Sequence, residues 1–389
     1  MRVLVTSTPA YGHLQPLLPL AKALGSAGHD VAVATAPALC PRVREAGLTA
    51  LPAGRDFEDW WPRLSERHPD EPWRRLDPDE ILGWFIPHLF AEVAAVEMLD
   101  DVVSVVERWR PNVLVHETYE FAGPLAAAAA GIPSVHHTLS PLPDAEVFER
   151  VADAMAPFWR RHGLDVDGLA GLWRGRCLDI CPSSLRNPGA PAQAALPLRP
   201  IAPTVGDETV PPWLPFLEDR PIVHLTFGTS VTNADQALLA AAVAGLREEP
   251  LSLVVTVGHS NDPSALGPQP NHVRVERYVP HALLLPHCAA VVSHGGAGTM
   301  LAALACGVPL LTIPQGADQY LNAELCVRRG VGRTLFSNTM SSGVIRQEVR
   351  HLLHEPGYTA TAREVARETA AMPPPEELVP ILEALNTRS

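Results

Sequence analysis

Apolar residues recur along this chain with two alternating spacings, in short runs of strand length and in longer stretches of helical period. The first run, Arg2–Ser7, predicts a strand, and residues 14–27 predict a helix with its apolar side chains on one face. Gly28 stands where such a helix ends, and Asp30–Thr35 predicts a second strand. A strand, a helix and a strand in this order favour a parallel sheet with a right-handed crossover.

The same rhythm continues through both halves of the chain. In the first half it predicts strands at 112–116 and 134–138 around a helix at 121–130. In the second half it predicts strands at 222–226, 251–257, 273–278, 290–293 and 310–313, and helices at 234–246, 299–305 and 320–329. Strands that alternate with helices in this way predict an α/β fold.

Two passages, one in each half, are closely similar to each other. Residues 125–135 read LAAAAAGIPSV, and residues 301–311 read LAALACGVPLL. Each predicts a helix of small residues, then Gly-x-Pro, then a strand. Two Rossmann-like lobes built alike would produce this echo, whereas a solenoid would repeat at a short period, which this sequence does not.

The length of the chain, 389 residues, predicts two domains, because one ordinary core seldom grows so large. Residues 186–221 carry nine prolines, which is the composition of a linker. We therefore expect an N-terminal lobe at 1–204, with an irregular helical insertion at about 55–110, and a C-terminal lobe at 205–372.

The formal net charge of -13 disfavours binding to nucleic acid or to an anionic membrane by bulk attraction. Residues 278–317 contain no Asp, Glu, Lys or Arg, but prolines and glycines break the run, so it predicts buried parallel strands and not a membrane span. The chain opens on a strand pattern without a signal peptide, and its six cysteines lack CxxC spacing. Buried free thiols in a reducing cytoplasm are therefore expected.

A glycine-rich segment, His294–Gly295–Gly296–Ala297–Gly298–Thr299, lies between a predicted strand and a predicted helix. Glycines let a ligand approach the backbone closely, and the free N–H groups at a helix start favour a diphosphate. The flanking side chains of His294 and Thr299 add hydrogen-bond donors. A tight turn without a ligand is the alternative interpretation, and we favour the phosphate site.

Two further pairs follow strands of the same lobe, at the sheet edge where ligands bind. Thr229 and Ser230 come after the strand at 222–226 and are candidates for contacts with the same phosphates. Asp318 and Gln319 come after the strand at 310–313, and a carboxylate beside an amide suits sugar hydroxyls, which both donate and accept. The alternative for each pair is helix capping.

His13 ends the first loop of the N-terminal lobe, and Glu117 follows the strand at 112–116 in that same lobe. A histidine can act as a general base near neutral pH when a carboxylate orients its ring. A capping or core histidine is the alternative. Neither lobe has GxGxxG after its first strand, which disfavours a dinucleotide, and no HxxxH, HExxH or DxD pattern suggests a metal site.

Taken together, Pro9-x-x-Gly12-His13, Tyr278-Val279-Pro280-His281, the segment 294–299 and Asp318-Gln319 resemble, in order and spacing, the GT-B glycosyltransferases of family 1. The resemblance is greatest to bacterial enzymes that glycosylate natural products such as macrolides, aromatic polyketides and enediynes. It implies two Rossmann-like lobes with parallel sheets facing an interdomain cleft. The acceptor would bind in the N-terminal lobe and the donor in the C-terminal lobe, with a last helix at 373–389 crossing back to the N-terminal lobe.

The resemblance also implies a role for each matching residue. His13 matches the base that deprotonates the acceptor hydroxyl, and attack on the anomeric carbon is then a single displacement with inversion. His294 and the backbone of Gly296–Thr299 match a diphosphate site that stabilises the leaving group without a metal. The remaining matches are Thr229 to a phosphate, Tyr278 and the Val279 backbone to the nucleotide base, and Asp318 and Gln319 to sugar hydroxyls.

Two departures from the family pattern qualify these matches. The partner of the base is usually Asp, whereas Glu117 stands at that position here. Tyr278 stands where plant relatives have Trp, and His281 replaces a Gln. Because bacterial relatives mostly use dTDP-deoxysugars, thymidine is favoured over uridine as the donor nucleotide.

The sequence therefore predicts an inverting, metal-independent glycosyltransferase that needs no cofactor and moves a sugar from dTDP or UDP to a hydroxyl of an apolar aglycone. Four aromatic residues of the insertion are candidates for the acceptor pocket, with ordinary helix packing as the alternative: Trp60, Trp61, Trp84 and Phe85. A homodimer is compatible with the sequence. The rival functions are a nucleotide-sugar 2-epimerase of the same fold, which would need no acceptor pocket, a non-catalytic nucleotide-sugar binder or activator, and an NAD-dependent oxidoreductase.

Overall fold

Two separate parallel sheets organise the chain. A computed structural model describes residues 1–166, 169–192, 194–202, 209–228, 233–259 and 261–386, apart from the side chains of 233–235 and 337. The chain divides into two compact units: the first is Met1–Pro182, Arg186–Pro203 and Met372–Ser389, and the second is Ser183–Leu185 and Thr204–Ala371.

The first unit is built on a seven-stranded parallel sheet with the order β3-β2-β1-β4-β5-β6-β7. Its strands are β1 Arg2–Thr6, β2 Asp30–Thr35, β3 Thr49–Pro52, β4 Val113–Glu117, β5 Ser134–His137, β6 Arg176–Asp179 and β7 Leu196–Pro197. The order 3-2-1-4-5-6 is that of a doubly wound Rossmann sheet. Its topological switch point lies between β1 and β4, where Thr6 pairs with His116.

Helices cover this sheet, and they include the insertion. They are α1 Tyr11–Leu14, α2 Leu18–Ser26, α3 Cys40–Glu45, α4 Phe57–Arg67, α5 Ile81–Phe85, α6 Val96–Trp109, α7 Ala122–Ala130 and α8 Ala145–Arg161. Between α5 and α6 the backbone runs as a π-helix over Ile86–Ala95. The insertion is therefore more regular than predicted, with helical backbone throughout 81–109.

The second unit repeats the plan with six parallel strands in the order β10-β9-β8-β11-β12-β13. The strands are β8 Ile222–Thr226, β9 Ser252–Thr256, β10 Val273–Glu276, β11 Cys288–Ser293, β12 Leu310–Thr312 and β13 Gly332–Thr334. The helices are α9 Asn233–Leu246, α10 His281–Leu284, α11 Ala297–Ala305, α12 Gln319–Arg329, α13 Ser342–His354 and α14 Pro356–Ala371. Its switch point lies between β8 and β11, where Thr226 pairs with Ser293.

The sequence echo corresponds to the same element in both units. The first copy forms α7 and β5, and the second forms α11 and β12. In each, the glycine after the helix, Gly131 or Gly307, has a positive φ and ends the helix in the left-handed conformation. Because each of these strands lies beside the strand at the switch point, the echo reflects two sheets wound in the same way.

The final helix, α15 Pro375–Asn386, packs against α2 and β4 of the first unit. An ion pair joins His29 Nε2 to Glu383 Oε1 at 3.0 Å. At its entry, the Arg199 backbone N–H donates to Pro373 O at 2.8 Å and the Arg199 guanidinium donates to Met372 O at 3.0 Å.

Some sequence-based expectations were wrong in detail. The helix predicted over 14–27 is divided into α1, a 3₁₀ turn at Gln15–Leu17 that contains Pro16, and α2. Short strands β3, β6, β7 and β13 escaped prediction, and β7 lies inside the stretch assigned to a linker. The predicted domain boundary near 205 falls outside the described residues. Cys306 is exposed and Cys288 half-buried, whereas the other four free cysteines are buried as expected.

The cores beneath these sheets are separate and apolar, as the hydrophobic pattern requires. In the first unit a cluster that includes Leu4, Leu114, Phe121 and Trp159 fills the sheet–helix interface, and in the second unit Val223, Leu225 and their neighbours do so. Among the described residues, the helices are all too short or too polar to cross a membrane.

Candidate active site

The first candidate site lies at the switch point of the first sheet. The loop after β1 leads into α1, which carries His13, and Glu117 is the last residue of the neighbouring strand β4. His13 Nδ1 lies 3.0 Å from Glu117 Oε1, and the carboxylate is completely buried while 19% of the imidazole is exposed. The two residues that the sequence pairs as base and partner are thus in hydrogen-bond contact.

Thr8 completes this arrangement, and sequence reasoning missed it. Its hydroxyl lies 2.7 Å from Glu117 Oε1 and 2.7 Å from His13 Nδ1. An ionised carboxylate only accepts, so the Thr8 hydroxyl donates to Glu117 and the Nδ1–H of His13 is shared between the two oxygens. This fixes the tautomer of His13 and leaves the lone pair on Nε2. The position of Thr8 in the loop between β1 and His13 could have suggested this contact from the sequence.

The environment of Glu117 keeps the carboxyl ionised. Burial by itself raises the pKa of this carboxyl, but the nearby His13, together with hydrogen bonds from His13, Tyr119 and Thr8, more than offsets burial, so the pKa lies below its ordinary value. The Tyr119 backbone N–H donates to Glu117 Oε2 at 2.6 Å. A buried negative charge beside Nδ1 is the feature that stabilises an imidazolium.

Aromatic side chains surround the exposed part of His13. The Phe90 ring stacks on His13 at 5.7 Å between centroids with an interplanar angle of 10°, and Tyr119 lies at 5.5 Å. Phe90 comes from the π-helix of the insertion and also escaped prediction. The ring of the insertion that stacks on His13 is therefore a phenylalanine and not one of the predicted tryptophans.

The four predicted acceptor-site aromatics lie further back in this aromatic cluster. Trp60 is 2% exposed and meets Phe90 edge to face at 5.8 Å, and Phe90 in turn stacks on His13. Trp61 is 37% exposed and contacts Phe85 at 6.0 Å, and Phe85 in turn contacts Trp84 at 5.2 Å. Trp60 belongs to a core cluster, against which Trp84 and Phe85 pack.

The second candidate site lies at the switch point of the second sheet, around His294. A Cβ on Gly296 would lie 2.5 Å from His294 Nε2, and one on Gly228 would lie 2.9 Å from Cε1. The imidazole is therefore held between two glycines, one from the loop after β8 and one from the loop after β11. This close approach explains why both positions are glycine, since the Cβ of any other residue would collide with the ring.

The start of α11 lies beside this ring, and within the described part of the chain no side chain caps it. Its N-cap residue is Gly296, which has no side chain to cap the N–H groups of Ala297, Gly298 and Thr299. A Cβ on Gly298 would lie more than 4 Å from every described residue outside its own turn of helix, whereas Thr299 is buried. Open space over free N–H groups at the positive end of a helix dipole suits an anion.

Asn322 ties two loops of this site together, and it too was missed. Its buried side-chain amide donates to Gly295 O at 2.9 Å and to Asp318 Oδ2 at 3.1 Å. Asp318 is the N-cap residue of α12, so Asn322 lies one turn further along the same helix. Asn322 follows Asp318 by four residues on the same helix, and this spacing could have predicted their contact from the sequence.

The other predicted donor-site residues lie in different surroundings. Gln319 Oε1 accepts from the backbone N–H groups of Gln315 at 2.8 Å and Gly316 at 3.2 Å, so this end of the amide supports the loop. The half-buried Tyr278 ring stacks on His259 at 4.8 Å, and Val279 is buried in the core. Thr229 and Ser230 lie outside the described residues.

Each unit therefore offers one chemical capability at its switch point. The first holds an oriented imidazole with a free Nε2, which can remove a proton. The second holds unsatisfied backbone donors and an imidazole, which can stabilise a negatively charged phosphate group.

The similarity of this chain to known proteins extends over nearly its full length. An L-demethylnoviosyl transferase from Streptomyces niveus is 36% identical over 384 residues, covering 96% of this chain and 96% of the relative. A TDP-daunosamine transferase from Streptomyces peucetius is 32% identical over 431 residues, covering 100% and 97%. A spinosyn rhamnosyltransferase solved with thymidine diphosphate matches with a TM-score of 0.82 at 28% identity, covering 98% of this chain and 100% of that chain.

The fold and these similarities define a glycosyltransferase with the GT-B fold, as the sequence motifs predicted. More particularly, the chain belongs to the erythromycin biosynthesis protein CIII-like family. The N-terminal domain of that family matches residues 22–228, and its C-terminal domain matches residues 238–385.

Proposed function

We propose that this enzyme transfers a deoxysugar, with inversion and without a metal, from a dTDP donor to a hydroxyl of an apolar polyketide-type aglycone. The observation that carries the proposal is the 3.0 Å contact between His13 Nδ1 and the buried carboxylate of Glu117. A buried ionised partner holds an imidazole in one tautomer and stabilises the imidazolium, which is what a general base gains from it.

In the proposed reaction His13 Nε2 removes the proton of the acceptor hydroxyl as its oxygen attacks the anomeric carbon. The bond from that carbon to the diphosphate breaks in the same step, so the configuration inverts. Glu117 and Thr8 hold the ring through Nδ1, and Glu117 stabilises the imidazolium that forms. A positioned base of this kind supplies about 10²- to 10⁴-fold of rate.

The departing diphosphate receives its stabilisation from the second unit. The free N–H groups at the start of α11 and the His294 ring are the proposed donors, and the space over Gly298 accommodates the phosphate. Asp318 and Gln319 are the proposed contacts to sugar hydroxyls. Tyr278 and the Val279 backbone are proposed to lie against the base, and Thr229 and Ser230 against the phosphates.

The donor and acceptor classes are supported by the relatives. One transfers TDP-daunosamine by its name, and solved relatives contain thymidine diphosphate or, at a TM-score of 0.80, a spinosyn aglycone. The aromatic surroundings of His13, led by Phe90 and Tyr119, suit a flat apolar acceptor. We propose that the first unit binds this acceptor and the second the donor.

The test combines binding with turnover on the full-length enzyme. We expect dTDP to raise the melting temperature, and mass spectrometry to detect a glycosylated product from a panel of dTDP-deoxysugars and polyketide aglycones. NMR of the anomeric proton will report inversion. His13→Ala should abolish transfer yet keep the dTDP affinity, while the matched control His162→Ala, an exposed histidine, should retain both.

Three outcomes would contradict the proposal. Transfer by His13→Ala at near wild-type rate would remove the base. The absence of stabilisation by any nucleoside diphosphate at millimolar concentration would remove the donor site. Conversion of the donor without an acceptor would indicate the epimerase.

A further inference from the structure

Two histidines and a glutamate form a compact cluster in the insertion of the first unit. His68, His88 and Glu92 each offer one ligand atom, and these three atoms lie within 4.8 Å of one another. His68 Nε2 is 3.3 Å from Glu92 Oε2, and His88 Nδ1 is 3.1 Å from Glu92 Oε1. Across the described part of the chain, this is the one group of three that meets such a criterion.

The backbone explains why residues distant in sequence meet here. His68 is the C-cap residue of α4, where the helix ends just before Pro69. His88 and Glu92 lie four residues apart on the π-helix and face the same side as His68. Sequence patterns that require HxxxH or HExxH do not detect this set, because the second histidine comes from another helix.

The donor set and its spacing match a transition metal. Zn²⁺ binds imidazole nitrogen at about 2.0–2.1 Å and carboxylate oxygen at about 2.0–2.2 Å, which separates ligand atoms in a tetrahedral site by about 3.3 Å. The two measured distances, 3.3 Å to Oε2 and 3.1 Å to Oε1 of Glu92, are close to this value, and all three ligand atoms lie within 4.8 Å of one another. Ca²⁺ and Mg²⁺ prefer oxygen ligands, so a set with two imidazoles does not suit them.

The cluster is partly shielded, which favours a defined site over loose surface binding. The side chains of His68, His88 and Glu92 are 24%, 29% and 28% exposed. The Trp84 ring packs on both imidazoles, at 5.3 Å from His68 and 4.7 Å from His88. Each imidazole is thus restrained on one side and points a nitrogen at the carboxylate.

We propose that His68, His88 and Glu92 bind a divalent transition metal of the Zn²⁺ type, with a water as fourth ligand. The metal would join the end of α4 to the π-helix. Phe90, which stacks on His13, lies between the two ligands on that π-helix. The site therefore has a positioning role, in which it fixes the segment that holds Phe90 against the base, and it takes no part in the chemical step.

The test uses untagged, chelator-treated full-length protein, with Co²⁺ as a spectroscopic probe of the Zn²⁺ site. We expect d–d absorption of a low-coordinate Co²⁺ complex, quenching of tryptophan fluorescence that Trp84→Phe diminishes, and displacement of Co²⁺ by Zn²⁺. Glu92→Gln and His88→Gln should each weaken Co²⁺ binding by at least about 10-fold. His162→Gln, at an exposed histidine outside the cluster, should bind as the wild type does.

Hydrogen exchange reports whether the metal fixes the π-helix that carries Phe90. Zn²⁺ should slow exchange over residues 86–95 in the wild type and leave Glu92→Gln unchanged. Near-ultraviolet circular dichroism verifies that the variants are folded. If Glu92→Gln is not folded, the conservative variant His88→Gln is used in its place. Equal Co²⁺ affinity in wild type and a folded ligand variant would overturn the site, and unchanged exchange on Zn²⁺ binding would overturn its positioning role.

Discussion

The imidazole of His294 occupies the space that a side chain at residue 296 would need, because a Cβ on Gly296 would lie 2.5 Å from Nε2. Such a contact cannot be accommodated without moving the ring or the helix start. The position of His294 and the free backbone donors of α11 are therefore coupled through this glycine.

Gly296→Ala should weaken dTDP binding by at least about 10-fold, corresponding to about 1.4 kcal/mol, because either the His294 ring or the start of α11 must move, and both are proposed to bind the diphosphate. Isothermal titration calorimetry measures the effect. Gly343→Ala serves as the control, since the nearest atom to a Cβ there is 4.0 Å away. An unchanged dTDP affinity in Gly296→Ala would show that His294 does not contribute to the donor site.

Gly298→Ala should separate stability from binding. Outside its own turn of helix, the added Cβ meets no atom of the described residues within 4 Å, and alanine is favoured over glycine in helices by up to about 1 kcal/mol, so the free energy of unfolding should be unchanged or higher. The same methyl group would occupy the space proposed for the diphosphate, so dTDP affinity should fall. Denaturant titration and calorimetry measure the two quantities, and undiminished affinity would place the phosphates elsewhere.

Glu117→Gln should reduce kcat by about 10²- to 10⁴-fold, because the charge that stabilises the His13 imidazolium is removed. Affinity for dTDP should be unaffected, since Glu117 belongs to the first unit. Initial rates at saturating substrates report the change. The exposed Glu149→Gln provides the comparison, and a Glu117→Gln enzyme with wild-type kcat would refute the assigned role.

Asn322→Ala should destabilise the protein by about 1–3 kcal/mol, because a buried carbonyl at Gly295 loses its side-chain partner. The loops after β11 and β12 would lose their link, so dTDP affinity should fall as well. Urea denaturation and calorimetry check both effects against the exposed Asn271→Ala. If the free energy of unfolding stayed within 0.5 kcal/mol of wild type (about the spread of surface substitutions), the link would be dispensable.

Stability should decrease as the pH falls from about 6.5 to about 4. Burial lowers the pKa of His116 and of His137 to about 4, and it holds the pKa of His136 well below its ordinary value. These histidines are neutral in the folded protein and take up protons on unfolding in that range, so their stabilising contribution is complete above pH 6.5 and is lost as the pH falls.

One buried carboxyl opposes this trend. Burial raises the pKa of Glu120 to about 7 despite hydrogen bonds from Thr6 and Gly123, so its contribution is present below pH 4.5 and lost as the pH rises through 7. Burial also lowers the pKa of His224 and of His281, so five histidines outnumber this carboxyl, and urea denaturation from pH 4.5 to 7.5 should still give net destabilisation on acidification. His116→Gln should flatten the profile, His162→Gln should not, and equal slopes in all three proteins would contradict the explanation.

The sequence predicted those features that local pattern determines. The echo of LAAAAAGIPSV and LAALACGVPLL predicted two lobes built alike, because a small-residue helix followed by Gly-x-Pro and a strand forms the same element twice. The pairing of His13 with Glu117 was also predicted from local pattern. Glu117 ends β4 and His13 follows the loop after β1, so both lie at the same edge of a parallel sheet.

Features that depend on packing between distant segments were not predictable. Phe90 reaches His13 because the backbone between α5 and α6 follows a π-helix, which periodicity alone does not reveal. Asn322 gains its importance only when the loop carrying Gly295 folds against α12. Trp60 was assigned to the acceptor pocket by composition, yet its burial is decided by helices that pack around it.

The packing of α15 against the first unit matters for enzyme engineering. Since Met372 and Pro373 bond to Arg199, and Glu383 pairs with His29, the last residues of the chain complete the fold of the unit that begins it. Apart from the short segment Ser183–Leu185, the second unit is thus one internal stretch of the chain, Thr204–Ala371. Chimaeras that seek new donor specificity should exchange that stretch and keep the native tail, because a simple two-part fusion would graft a foreign helix onto α2.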